Sequence, residues 1–96
     1  MIGLVLALAV LPPYTTPGTS DRIATVQLAG TPSGALVEVR APDSDSWIIA
    51  GIVPGFVAVR LEVDGFYAFR YSAPGRAPAA RMIHLRQGDQ ARLELN

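Results

Sequence analysis

The chain reads as an all-β protein, an antiparallel β-sandwich of seven to eight strands. Two observations carry this. From Arg22 onward seven short stretches look like strands, most of them alternating apolar with polar residues, and turn residues separate each from the next. No stretch repeats its apolar residues with the 3.6-residue period of a helix.

Residues 22–29 (RIATVQLA) form the first of these stretches, with Ala24, Val26 and Leu28 on one side and Thr25 and Gln27 on the other. The composition of residues 30–34 (GTPSG) predicts a turn. Residues 35–40 (ALVEVR) follow, with Val37 and Val39 inward and Glu38 and Arg40 outward. These two stretches make a plausible hairpin. Residues 41–46 (APDSDS) are a polar loop. Residues 47–53 (WIIAGIV) are apolar throughout, the pattern of a strand buried on both sides or bent at Gly51.

Residues 57–71 (VAVRLEVDGFYAFRY) are the stretch on which the others are expected to pack. Val57, Val59, Leu61 and Val63 alternate with Ala58, Arg60 and Glu62, and Tyr67, Phe69 and Tyr71 alternate beyond Asp64-Gly65. Read as a hairpin with a three-residue loop, Val63 faces Tyr67, Leu61 faces Phe69 and Val59 faces Tyr71, so all seven apolar residues share a side. This register sets Arg60 against Arg70 and leaves Phe66 at the loop tip, either as a small exposed apolar group or as a partner contact. Residues 81–85 (RMIHL) and 91–96 (ARLELN) are the last two strands, with Ile83, Leu85, Leu93 and Leu95 inward.

Upstream lies a different kind of sequence. Residues 1–11 (MIGLVLALAVL) carry no polar side chain. The segment lacks the basic start of a secretory signal, although Ala7-Leu8-Ala9 mimics a cleavage site. It is shorter than the roughly 20 residues of a membrane span. The reading preferred is an apolar arm or strand, with Ile2, Leu4, Leu6, Leu8 and Val10 on one side. An uncleaved anchor and a signal remain the alternatives. Residues 12–20 are a proline-rich linker that can carry the arm to a neighbouring subunit, or let it fold back as a strand onto its own sheet. Residues 21–96 are then the sandwich domain.

Of the 96 residues 50% are hydrophobic and 17% charged, which suggests apolar surface buried against another chain. Formal net charge is zero, which argues against non-specific nucleic-acid binding. All eight basic residues are arginine and cysteine is absent, so disulfide, thiol and cysteine-metal chemistry are excluded.

The run of residues 64–79 (DGFYAFRYSAPGRAPA) resembles the carboxypeptidase-regulatory-like and PEGA-like domains, small transthyretin-like (prealbumin-like) sandwiches. Their signature is a G-x-Y strand, a short A-P-G-Y turn and a strand ending in a glycine-containing hairpin. Gly65-Phe66-Tyr67, Ala73-Pro74-Gly75 and Gly88 take those places here, with Arg76 where the family usually has an aromatic. The resemblance covers about the last third of the chain. It implies a transthyretin-like fold and a non-enzymatic accessory or interaction module.

No residue pattern points to chemistry. His84, the sole histidine, falls on the outer face of its strand without an evident carboxylate or second histidine. Asp43-Ser44-Asp45 offers too few oxygens for calcium. Arg60, Arg70, Arg81, Arg86 and Arg92 are expected to crowd one outer surface, balanced by Glu62, Asp89 and Glu94, and Trp47 is expected in the core. No enzyme activity, metal or cofactor is expected.

Two functional readings follow. The first is a structural assembly protein, such as a small virion component (capsid decoration, connector or tail subunit). It would be a homo-oligomer or part of a larger assembly, held by contacts through Ile2, Leu4, Leu6, Leu8, Val10 and Phe66. The second is a secreted or cell-envelope accessory module that binds protein or carbohydrate. Neither needs a transmembrane span.

Overall fold

A computed structural model of the chain describes residues 14–30 and 33–95. The apolar segment with Ile2, Leu4, Leu6, Leu8 and Val10 lies outside the described residues, as do Thr31, Pro32 and the side chain of Leu95.

The described chain is all β, with eight strands: β1 (Tyr14–Thr15), β2 (Ile23–Gly30), β3 (Leu36–Arg40), β4 (Ile48–Ile52), β5 (Gly55–Arg60), β6 (Gly65–Ser72), β7 (Ala79–Leu85) and β8 (Gln90–Leu95). They form two four-stranded sheets, sheet I in the order β1-β5-β2-β8 and sheet II in the order β4-β3-β6-β7. The sandwich expected from the alternation is therefore present. Its pairing differs from an all-antiparallel one. Sheet II is antiparallel throughout, but in sheet I β1 runs parallel to β5 and β2 parallel to β8.

The core fills with the residues whose period of two marks them as inward. Ala24, Val26 and Leu28 of β2 and Val57 and Val59 of β5 are buried in sheet I. Val37 and Val39 of β3, Tyr67, Phe69 and Tyr71 of β6 and Leu85 of β7 are buried in sheet II, and Leu61 joins them between the sheets. Burying a side chain of this kind contributes about 1.5–3 kcal/mol, which is why the two apolar rows must find cover.

How they find it overturns the expected central hairpin. β5 pairs with β2 and β1, whereas β6 pairs with β3 and β7. The two strands lie in different sheets, and residues 61–64 carry the chain across. The valine row and the aromatic row thus share one core from opposite walls. The same correction applies to the first pair of strands, since β2 belongs to sheet I and β3 to sheet II. Arg60 does not face Arg70. Its guanidinium donates to the Ser20 carbonyl at 2.7 Å, while Arg70 Nε donates to Glu38 Oε1 at 2.8 Å.

Local hydrogen bonds hold the crossover. Leu61 N donates to the Arg22 carbonyl at 2.9 Å, and Ser20 Oγ donates to the Leu61 carbonyl at 2.6 Å. The Tyr67 hydroxyl donates to the Val63 carbonyl at 2.6 Å. Arg22 and Asp64 form an ion pair at the surface. Gly65 opens β6 with φ of 155°, and a Cβ there would stand 3.0 Å from Pro42 Cγ, so the position favours glycine on both counts.

Tyr14 and Thr15, within the proline-rich stretch, pair with Val57 and Ala58 as an edge of sheet I. Thr16 extends the contact. It is buried, its N–H donates to the Ala58 carbonyl at 3.0 Å and its Oγ1 accepts from Arg60 N at 2.9 Å.

Candidate functional site: the outer face of sheet II

The outer faces of the two sheets differ in chemistry. Along sheet I, Thr25, Gln27, Gln90 and Arg92 are neighbours in register, with the exposed Phe56 beside Gln27. The outer face of sheet II carries the exposed Leu36, Ile49, Ile52, Phe66 and Met82, while the exposed Ile48 stands opposite the inward Val39. Among the described residues, Tyr14 and Phe56 are the exposed large apolar side chains of sheet I.

β4 explains much of this. The expectation of a strand buried on both sides is not met, because β4 is an edge strand. Ala50 is fully buried, but Ile49 is 50% and Ile52 56% exposed. Ile49 sits beside Glu38 and Ile52 beside Leu36, with an irregularity in β4–β3 register between Val37 and Glu38. Such a break turns both isoleucines outward with only Ala50 and Gly51 between them.

The middle of the face is polar. Glu38 and Arg70 are opposite each other on β3 and β6 and form the ion pair described above. Trp47 lies half-buried on this surface rather than in the core. The Arg70 guanidinium carbon stands 4.2 Å from the Trp47 ring centroid and that of Arg40 stands 5.1 Å from it. Each such stack contributes about 0.5–1 kcal/mol at an exposed site. The arginines expected to share one surface do not. Arg60 and Arg92 are on sheet I, Arg70 and Arg81 on sheet II, and Arg86 in the turn after β7.

At the far end Phe66 is in β6, not at a loop tip, and is 57% exposed. It stands opposite His84 of β7, with ring centroids 5.1 Å apart in an edge-to-face contact. His84 is exposed, as its parity predicts. Beside Phe66 an open cleft of about 350 Å³ runs between the 41–46 loop and the sheet. Phe66 and Met82 line its apolar part, Arg40, Ser44 and Asp45 its polar part.

This arrangement suits binding. Among the described residues no group of three His, Cys, Asp or Glu side chains could hold a metal ion. Among the described residues no helix is long and apolar enough to cross a membrane. Of the residues singled out from sequence as partner contacts, Phe66 falls on this face, and Ile2, Leu4, Leu6, Leu8 and Val10 lie outside the described residues. Ile49, Ile52, Leu36 and Met82 were missed. Ile49 and Ile52 lie in a run apolar enough for the core, with nothing in it to mark an edge strand, whereas Leu36 and Met82 fall on the outward side of the alternation set by Val37 and Val39 and by Ile83 and Leu85. The class the fold defines is an all-β, sandwich-like domain. The chain matches no protein-family model and no curated protein.

Proposed function

We propose that the protein is a non-enzymatic structural subunit whose copies associate through the outer face of sheet II. The observation that supports this best is the concentration of exposed apolar side chains there, against Thr25, Gln27, Gln90, Arg92 and Phe56 along sheet I. A second copy is the fitting occupant, because zero net charge and the internally paired Arg70 and Glu38 leave little repulsion between like faces. A virion component that decorates a capsid or builds a connector or tail is the setting such a subunit fits.

The transthyretin-like fold type and the kinship with carboxypeptidase-regulatory-like domains belong to the same proposal. The Ala73-Pro74-Gly75 turn between β6 and β7, closed by Arg76 N donating to the Ala73 carbonyl at 3.1 Å, supports them. The Gly88 turn departs from the family's hairpin, since it leads from sheet II to sheet I.

Light scattering coupled to size exclusion tests the assembly. The full chain is expected as a defined oligomer. Ile49→Asp combined with Met82→Asp is expected to give a monomer with an unchanged β-type circular dichroism spectrum. A monomeric wild type, or a double variant that assembles normally, overturns the proposal. The cleft beside Phe66 favours a second reading, a secreted or cell-envelope module that binds protein or carbohydrate.

A further inference from the structure

The edges of the two sheets are not equally protected. Exposed strand edges usually carry charge, proline or extreme shortness, because an unguarded edge recruits another strand. β8 carries Arg92 and Glu94, β7 carries Arg81, and β1 has two residues flanked by prolines. β4 (IIAGI) has no charge and no proline, and among the described residues no strand pairs with its outer edge.

The described chain begins beside that edge. Tyr14 pairs with Val57, close to the start of β5, and β1 lies against β4. β4 leads into β5 through a corner at Val53-Pro54. Just before Tyr14 the sequence has a proline pair, Pro12-Pro13. Since β1 follows β5 in parallel, the residues before it can follow β4 in the same sense. Carrying the β1–β5 register back across the corner sets Val5 beside Ile48, Leu6 beside Ile49 and Val10 beside Val53. At about 3.3 Å per residue, residues 5–10 span about 20 Å, enough to run the length of β4.

We propose that residues 5–10 of the same chain add to the open edge of β4 as a parallel strand, giving sheet II a fifth strand. The occupant is the chain's own segment rather than that of a second copy because its attachment point is already at the site. A tether this short sets an effective concentration in the millimolar range or above, which a free partner must exceed. Chemistry agrees with geometry. Residues 1–11 have no polar side chain, and an added edge strand over the apolar β4 needs apolar residues on both sides. With Leu6 beside Ile49, Leu6 joins the outer face and Val5 and Ala7 turn toward the core. Leu6 then widens the apolar face, a consequence that rests on the assembly proposed above.

The chain has no cysteine, so an engineered pair reports docking without background. The full chain carrying Leu6→Cys and Ile49→Cys is oxidised mildly, then analysed by thiol titration and non-reducing electrophoresis. The expected result is loss of both free thiols in a species of monomer mass. A control carrying Leu6→Cys and Met82→Cys, with the second thiol on β7, is expected to keep its thiols. Disulfide-linked dimers from the Ile49 pair would mean that a second copy supplies the strand, and free thiols would mean that nothing docks there. Either outcome overturns the proposal. Both are read without reference to the oligomer, so failure of the assembly reading remains distinguishable.

Discussion

Leu61→Ala probes the point where the chain leaves one sheet for the other. Leu61 has no solvent exposure and belongs to the shared core. The substitution removes about three methylene-sized groups, worth about 2.4 kcal/mol at ~0.8 kcal/mol each. A cavity penalty adds to this in proportion to how little the site collapses. Collapse is restricted here, because the Leu61 N–H and carbonyl are both hydrogen-bonded, to the Arg22 carbonyl and to Ser20 Oγ. The expected loss is therefore about 3–4 kcal/mol. Urea unfolding followed by Trp47 fluorescence measures it. With an m-value of about 1–2 kcal/mol per molar, the midpoint falls by roughly 1.5–4 M. The outer-face control Leu36→Ala, at a residue already 37% exposed, is expected to cost less than about 1 kcal/mol. A loss below about 1 kcal/mol at Leu61, or equal losses at both sites, would refute the placement of Leu61 between the sheets.

Two further expectations concern single contacts. Tyr67→Phe removes the hydroxyl that donates to the Val63 carbonyl, at a cost of about 0.5–1.5 kcal/mol by denaturant titration. Burial raises the Tyr67 hydroxyl above the ordinary value of 10.0, so the folded chain holds this proton to higher pH than the unfolded chain does. Its contribution is full below pH 10.0 and is lost as pH rises through the folded value. The Phe variant should lack that part of the alkaline decline, and identical profiles would contradict the assignment. Gly55→Ala would bring a Cβ to 2.9 Å from the Ile52 carbonyl oxygen at the β4–β5 corner. Backbone must shift to admit it, at about 1–3 kcal/mol, or a melting temperature lower by at least about 4 °C by calorimetry. An unchanged melting temperature would show a looser corner.

What was legible in the chain was the inward row of each strand. Val26 and Leu28, Val37 and Val39, Val57 and Val59, and Tyr67, Phe69 and Tyr71 are all buried where a period of two places them. Alternation is a local property, set by the pleat, so seven strands could be counted from Arg22 onward before any contact was known. The polar side chains Glu38, Arg40 and His84 point outward for the same reason.

Pairing was not legible in this way. Two apolar rows joined by Asp64-Gly65 look the same whether they lie side by side in one sheet or face each other across a core. Leu61 buries in either case. The choice is made by contacts distant in sequence, such as β2 on β5 and β3 on β6. The same holds for the candidate interface. Ile49 and Ile52 lie in a run apolar enough for the core and are exposed because β4 is the last strand of its sheet among the described residues, and Trp47 sits among arginines because β3 and β6 bring Arg40 and Arg70 to its ring. Which side of a strand is apolar is written along the chain, since neighbouring residues alternate across the pleat. Which strands become neighbours, and which one is left at an edge, depends on how both sheets share a single core.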